Sequence, residues 1–88
     1  MKPYQDNIIS KDTKIRIFDE NIDPIELMWH RDLKSRKVTI LEGKGWSYQQ
    51  EDQLPQTLNP GDHIFIPALE YHRIIKGTTD LKIQIEEF

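Results

Sequence analysis

No stretch of eleven or more residues in this chain carries apolar side chains at i, i+3, i+4 and i+7, the spacing an amphipathic helix needs to bury one face. Short runs alternate in polarity instead. Val38 and Ile40 alternate with Lys37 and Thr39, and Leu81, Ile83 and Ile85 alternate with Lys82, Gln84 and Glu86. A period of two is that of a half-buried strand. Composition agrees: there are 13 Ile and one Ala, and β-branched residues favour strands where Ala favours helix.

Turn residues divide the chain between these runs. Residues 1–12 read as an irregular lead-in, and 13–88 as one domain. Ile15 and Ile17 alternate with Lys14 and Arg16 in the first strand, with the lysine and arginine on its wet face. Residues 25–30 form the next, after Asp23-Pro24. Strands then run over 37–40, 46–50, 53–58, 63–66, 71–76 and 81–86. Asn59-Pro60-Gly61-Asp62 is a strong turn signal, and Glu51-Asp52 a hairpin turn. About eight short strands at regular spacing predict an all-β fold: a small antiparallel barrel or jelly roll.

The 88 residues suffice for a single core. Ile, Leu, Val and Phe make up 24 of them, enough to fold but with a thin core. That thinness, with outward aromatics such as Trp29, predicts a homodimer. There is no Cys, which excludes disulfides, thiolate metal sites and a Cys nucleophile. The net charge is −3 and the basic residues are scattered, which argues against nucleic acid as a partner. No apolar run approaches the ~20 residues of a membrane span. No signal-peptide pattern is visible at the start, so a cytoplasmic location is expected.

One stretch goes beyond pattern. Gly61-Asp62-His63-Ile64-Phe65-Ile66-Pro67-Ala68-Leu69-Glu70-Tyr71-His72 resembles the second motif of the cupin superfamily, with Gly61, Pro67 and His72 at the motif's spacings. Leu69 stands where that motif has Gly, and Lys76 where it has Asn. Reading back from Gly43, the first motif's His-x-His falls on His30-Arg31-Asp32 and its Glu on Arg36. The resemblance covers roughly residues 27–76 and implies the cupin barrel. It also implies half of the usual metal site, with Asp32 in place of the second His and Arg36 in place of the Glu.

The functional expectation is a mononuclear divalent metal (Fe, Mn, Zn or Ni) held by His30, Asp32 and His72. Two imidazoles and one carboxylate with open positions form the ligand set of non-haem iron sites. Arg36, placed in a pocket, would take the anionic group of a small metabolite in bidentate fashion. Lys76 and Glu26 are further ligand-binding candidates, because strand alternation puts them on the faces of His72 and His30. An oxygenase and an isomerase are both consistent with this set. The alternatives are a metal-free binding module using the same residues, and a structural dimer with a filled barrel in which Asp32 and Arg36 pair only with each other.

Overall fold

The computed structural model describes residues 4–88. Eight antiparallel strands form two facing sheets: β1 (Tyr4–Ile8), β2 (Thr13–Phe18), β3 (Arg36–Glu42), β4 (Ser47–Gln50), β5 (Gln56–Thr57), β6 (His63–Ile66), β7 (His72–Ile75) and β8 (Leu81–Glu87). One sheet has the order β1-β2-β8-β3-β6 and the other β5-β4-β7. This is a jelly roll of two open sheets and not a closed barrel.

The long strands β3 and β8 pair in the middle of the larger sheet, Val38 opposite Ile85 and Ile40 opposite Ile83. Their alternation sends these side chains, with Ile64 and Ile66 of β6, into the space between the sheets, where all are buried. Trp46, Tyr48 and Leu58 close that space from the smaller sheet and its loops. The predicted inward faces of β3, β6 and β8 are those observed. The turn at Asn59–Asp62 also forms. The Asp62 N–H donates to the Asn59 carbonyl (3.0 Å), the Asp62 carboxylate accepts from the Asn59 N–H (2.8 Å), and Gly61 takes φ +93°. That conformation favours glycine.

Three expectations need correction. The lead-in is not irregular over its described part: Tyr4–Ile8 pairs with β2 from Tyr4↔Phe18 to Ile8↔Lys14. Residues 1–3 of the expected lead-in lie outside the described residues. Asp and Asn are poor strand formers, and what holds β1 is tertiary. Arg16 donates to both oxygens of Asp6 (2.7 and 3.0 Å) and lies 3.6 Å over the Tyr4 ring.

The faces of β2 are the reverse of those expected. Arg16 and Phe18 are buried, while Ile15 and Ile17 lie half-buried on the outer side. Alternation defines two faces but does not say which one is inside, and the ion pair to Asp6 supplies the partner a buried arginine needs.

Residues 25–30 are not a strand. Asp23 caps a 3-10 turn over Pro24–Glu26, its carboxylate accepting from the Ile25 N–H at 3.1 Å, with Pro24 in the first turn. Only His30 of this stretch joins a sheet, through an isolated bridge. The predicted strand over 53–58 likewise shortens to Gln56–Thr57.

Candidate metal centre

The bridge places the two histidines together. The His30 N–H donates to the His72 carbonyl (3.0 Å) and the His72 N–H to the His30 carbonyl (2.9 Å). Directly opposed residues on antiparallel chains send their side chains to the same face. The rings therefore meet edge-to-face with centroids 4.3 Å apart. Two residues on, the Asp32 carbonyl accepts from the Leu69 N–H (2.8 Å), pinning the segment to the loop before β7. One imidazole nitrogen of each histidine and a carboxylate oxygen of Asp32 all lie within 4.8 Å of one another.

The backbone also fixes the tautomers. His30 Nδ1–H donates to the Met28 carbonyl (3.2 Å) and His72 Nδ1–H to the Glu70 carbonyl (3.1 Å), each two residues back. A carbonyl only accepts, so in each neutral ring the proton sits on Nδ1 and the lone pair on Nε2. Metal-ligating histidines are commonly oriented in this way. Burial lowers the pKa of His72, as do His30 and Arg36. The Glu70 carbonyl and Asp32 act in the opposite direction and are outweighed. The ring is therefore neutral at pH 7, the form that binds metals.

One consequence is an opposition of acceptors. The Nε2 lone pair of His72 faces Asp32 Oδ2 at 3.3 Å, and that oxygen is buried without a hydrogen-bond partner. Arg36 Nη1 also stands 3.3 Å from it, an electrostatic contact. Two acceptors converging without a proton between them are what a cation relieves. The donor set, imidazole and carboxylate, is that of Fe, Mn, Ni or Zn sites.

Arg36 begins β3 and points inward with Val38 and Ile40, as the alternation predicts. Its Nη2 donates to Glu87 at 3.4 Å, and its Nε is buried without a partner. Burial alone would raise the Glu87 pKa, but Arg36 and Lys14 outweigh it and hold the carboxyl below its ordinary value of 4.5. A carboxyl depressed in the folded state stabilises the fold above its unfolded pKa, and that contribution is lost as pH falls through the folded pKa. Glu87→Gln should therefore cost under about 1 kcal/mol at pH 7. In urea unfolding, the difference from wild type should vanish as pH drops below 4.5 towards the folded titration point. An offset equal at pH 7 and pH 3 would contradict the pairing.

These groups border one cavity of about 160 Å³ between the sheets. His30, Asp32, Arg36, Tyr48 and His72 make its polar end. Val38, Ile40, Ile64, Ile66, Ile83 and Ile85 make the apolar remainder. The interior is thus not filled, as a purely structural barrel would require. Glu26 and Met28 border the cavity at its exposed rim, and Glu26 is not among the clustered donors. Lys76 does not join the site: its Nζ donates to the Ile22 carbonyl at 3.0 Å, outside the cavity lining. The strand β7 ends at Ile75, so the alternation that would have carried Lys76 inward stops one residue short.

From sequence, Arg16 falls on the wet face of its strand, and Tyr48, an aromatic candidate for a ligand platform, falls to packing. Arg16 is masked by the reversed faces of β2; its shared parity with Phe18 was the available signal. Tyr48 reads as packing, yet it borders the cavity and its hydroxyl is buried without a hydrogen-bond partner. Burial, with Glu70 and Asp32 nearby, pushes its pKa up, so it keeps its proton.

No family model and no curated protein matches the chain. Solved structures do. The chain superposes on DMSP lyase DddQ from Ruegeria pomeroyi DSS-3 with a TM-score of 0.80 and 16% identity, covering 97% of this chain and 46% of that one. An RmlC-like cupin family protein with a double-stranded β-helix fold, from Methanocaldococcus jannaschii, gives 0.67 at 17% identity, over 99% of this chain and 82% of that one. A cupin domain from Bordetella pertussis Tohama I gives 0.65 at 16% identity, over 97% and 91%.

The chain has the cupin fold.

The chain spans less than half the length of the DMSP lyase DddQ it matches. Fold alone does not give activity. Among the described residues, no helix is long and apolar enough to cross a membrane.

Proposed function

We propose that this cupin holds one divalent transition metal through His30 Nε2, His72 Nε2 and an oxygen of Asp32, and binds a small anionic metabolite beside it. The observation that carries this reading is Asp32 Oδ2, ion-paired to Arg36 but without a hydrogen bond, facing the Nε2 lone pair of the buried His72 at 3.3 Å. Iron, manganese, nickel or zinc suits three such donors. The metal would polarise a bound oxygen ligand as a Lewis acid, chemistry that serves isomerase, lyase or oxygenase steps.

The chain's own residues do the rest. The Met28 and Glu70 carbonyls fix the ring orientations. Arg36, half-buried next to Asp32, receives the negative charge of the metabolite. That DddQ, of similar fold, is a DMSP lyase supports small-molecule chemistry on this fold. The assembly we assign is a homodimer, on the apolar Ile15, Ile17 and Phe65 that the larger sheet turns outward.

A second reading has one observation in its favour. Arg36 lies as close to Asp32 as His72 does, 3.3 Å, and a metal-free binding module would use that ion pair to hold its pocket. Metal analysis separates the two. Chelator-stripped protein, offered Fe(II), Mn(II), Ni(II) and Zn(II) in turn and desalted, should retain about one equivalent of at least one of them per chain. Retention of none would overturn the metal centre and leave the binding module.

A further inference from the structure

Three buried side-chain polar atoms lack a hydrogen-bond partner among the described residues: Asp32 Oδ2, Arg36 Nε and Tyr48 Oη. All three residues border the same cavity. A buried polar group without a partner is costly, so three around one space indicate that the space is built around something polar. They divide by chemistry. Asp32 Oδ2, with the two Nε2 lone pairs, offers only acceptors, which suit a cation. Arg36 Nε–H and Tyr48 Oη–H are donors, and Arg carries a fixed charge, which suits an anion. Asp32 drawn to the cation would free Arg36 Nη1 from its ion pair, adding a second donor to the unpartnered Nε–H.

The remainder of the cavity decides what the anion carries. Val38, Ile40, Ile64, Ile83, Ile85 and Leu81 offer no side-chain polar atom. Both arginines on the lining already meet carboxylates, but Arg16 has its Nε and Nη2 taken by Asp6, whereas Arg36 gives Nη2 to Glu87 and keeps its Nε–H without a partner. There is thus one anionic subsite and an aliphatic wall. The volume of about 160 Å³ is close to the ~150 Å³ of an apolar cavity that takes benzene. A ligand of roughly six or seven heavy atoms fits; a hexose phosphate does not.

We infer that the cavity takes a short-chain aliphatic monocarboxylate, its head bonded by Arg36 and Tyr48 and its tail laid against the isoleucines of β3, β6 and β8. The inference rests on the metal-centre reading for the position of Asp32, and it makes Tyr48 a binding residue.

The test is calorimetric titration of zinc-loaded and chelator-stripped protein with acetate, propanoate, butanoate, pentanoate and hexanoate, beside 1-butanol, malonate and glucose 6-phosphate. Affinity should rise about threefold to fourfold per added methylene up to butanoate or pentanoate and then stop rising. Butanol should bind at least roughly tenfold more weakly than butanoate, because it lacks the charge that Arg36 meets. Tyr48→Phe should weaken butanoate roughly tenfold or more and leave zinc affinity unchanged. The same variant should melt no lower than wild type without ligand, since it removes a buried hydroxyl that has no partner.

No dependence on chain length, tighter binding of malonate or glucose 6-phosphate, or full butanoate affinity in Tyr48→Phe would overturn the assignment. Zinc held without any carboxylate binding would also overturn it, while leaving the metal centre intact. Butanoate bound by a chain that holds no zinc would support the ligand class and overturn the metal centre instead.

Discussion

Gly77→Ala should lower the melting temperature of this domain by about 12 °C or more, a loss of roughly 3 kcal/mol at the upper end of overpacking effects. A Cβ on Gly77 would sit 2.5 Å from Trp46 Cδ1 and 2.6 Å from the Trp46 backbone N, and closer still to the Lys44 carbonyl oxygen. Two of these three atoms are backbone and cannot swing aside. The third belongs to a tryptophan with no exposed surface, whose Nε1–H donates to the Thr79 carbonyl at 2.7 Å. The loop after β3 and the loop after β7 are thus pressed together over Trp46, and the Thr78 N–H bond to the Lys44 carbonyl (2.9 Å) closes the joint. Domains of this size hold only ~5–15 kcal/mol in total, so the variant would be partly unfolded at moderate temperature. Gly61→Ala is the matched control. Nothing lies within 4 Å of its added Cβ, and its φ of +93° is the sole obstacle. That strain costs about 1–2 kcal/mol. A Gly77→Ala protein as stable as Gly61→Ala would contradict the packing described.

His72→Ala should abolish metal retention, weakening affinity by more than the ~10–100-fold typical of losing an outer-shell partner. It removes one of three donors, and it removes the ring against which His30 rests. The fold should survive. The His30–His72 bridge is made by backbone groups, and Ala keeps both of its hydrogen bonds. Circular dichroism and metal content measured on the same sample separate the two effects. A folded His72→Ala chain that binds metal as tightly as wild type would remove His72 from the centre.

The sequence was legible where local chemistry and tertiary structure agree. The turn at Asn59–Asp62 needs a residue at positive φ and has Gly61 there. β3, β6 and β8 alternate cleanly because each has one face on the core. The spacing from Gly61 through Pro67 to His72 places the histidine at the start of β7, buried and facing the cavity. Legibility failed where a distant partner decides the outcome. β2 carries apolar side chains on one face and Lys14 and Arg16 on the other, and alternation alone assigns the charges to water. Only Asp6 and Tyr4, ten and twelve residues back, make Arg16 an interior residue. β1 is strand only because β2 is beside it. Residues 24–26 were legible in principle, since Asp-Pro opens a helical turn by capping, but the apolar residues that follow suggested a strand. Lys76 failed for a local reason, a strand one residue shorter than its pattern. Tyr48 shows the remaining limit: its inward face is predictable, but the lack of a partner for its hydroxyl depends on the whole opposite sheet.

The central claim is that His30, Asp32 and His72 share one ion, and X-ray absorption at the edge of the retained metal tests it most directly. The account predicts two imidazole scatterers and carboxylate oxygen in the inner shell at about 2.0–2.2 Å, and no retained metal in His72→Ala. An inner shell of oxygen and nitrogen with no imidazole signature, unchanged in that variant, would place the metal elsewhere on the protein and contradict the account.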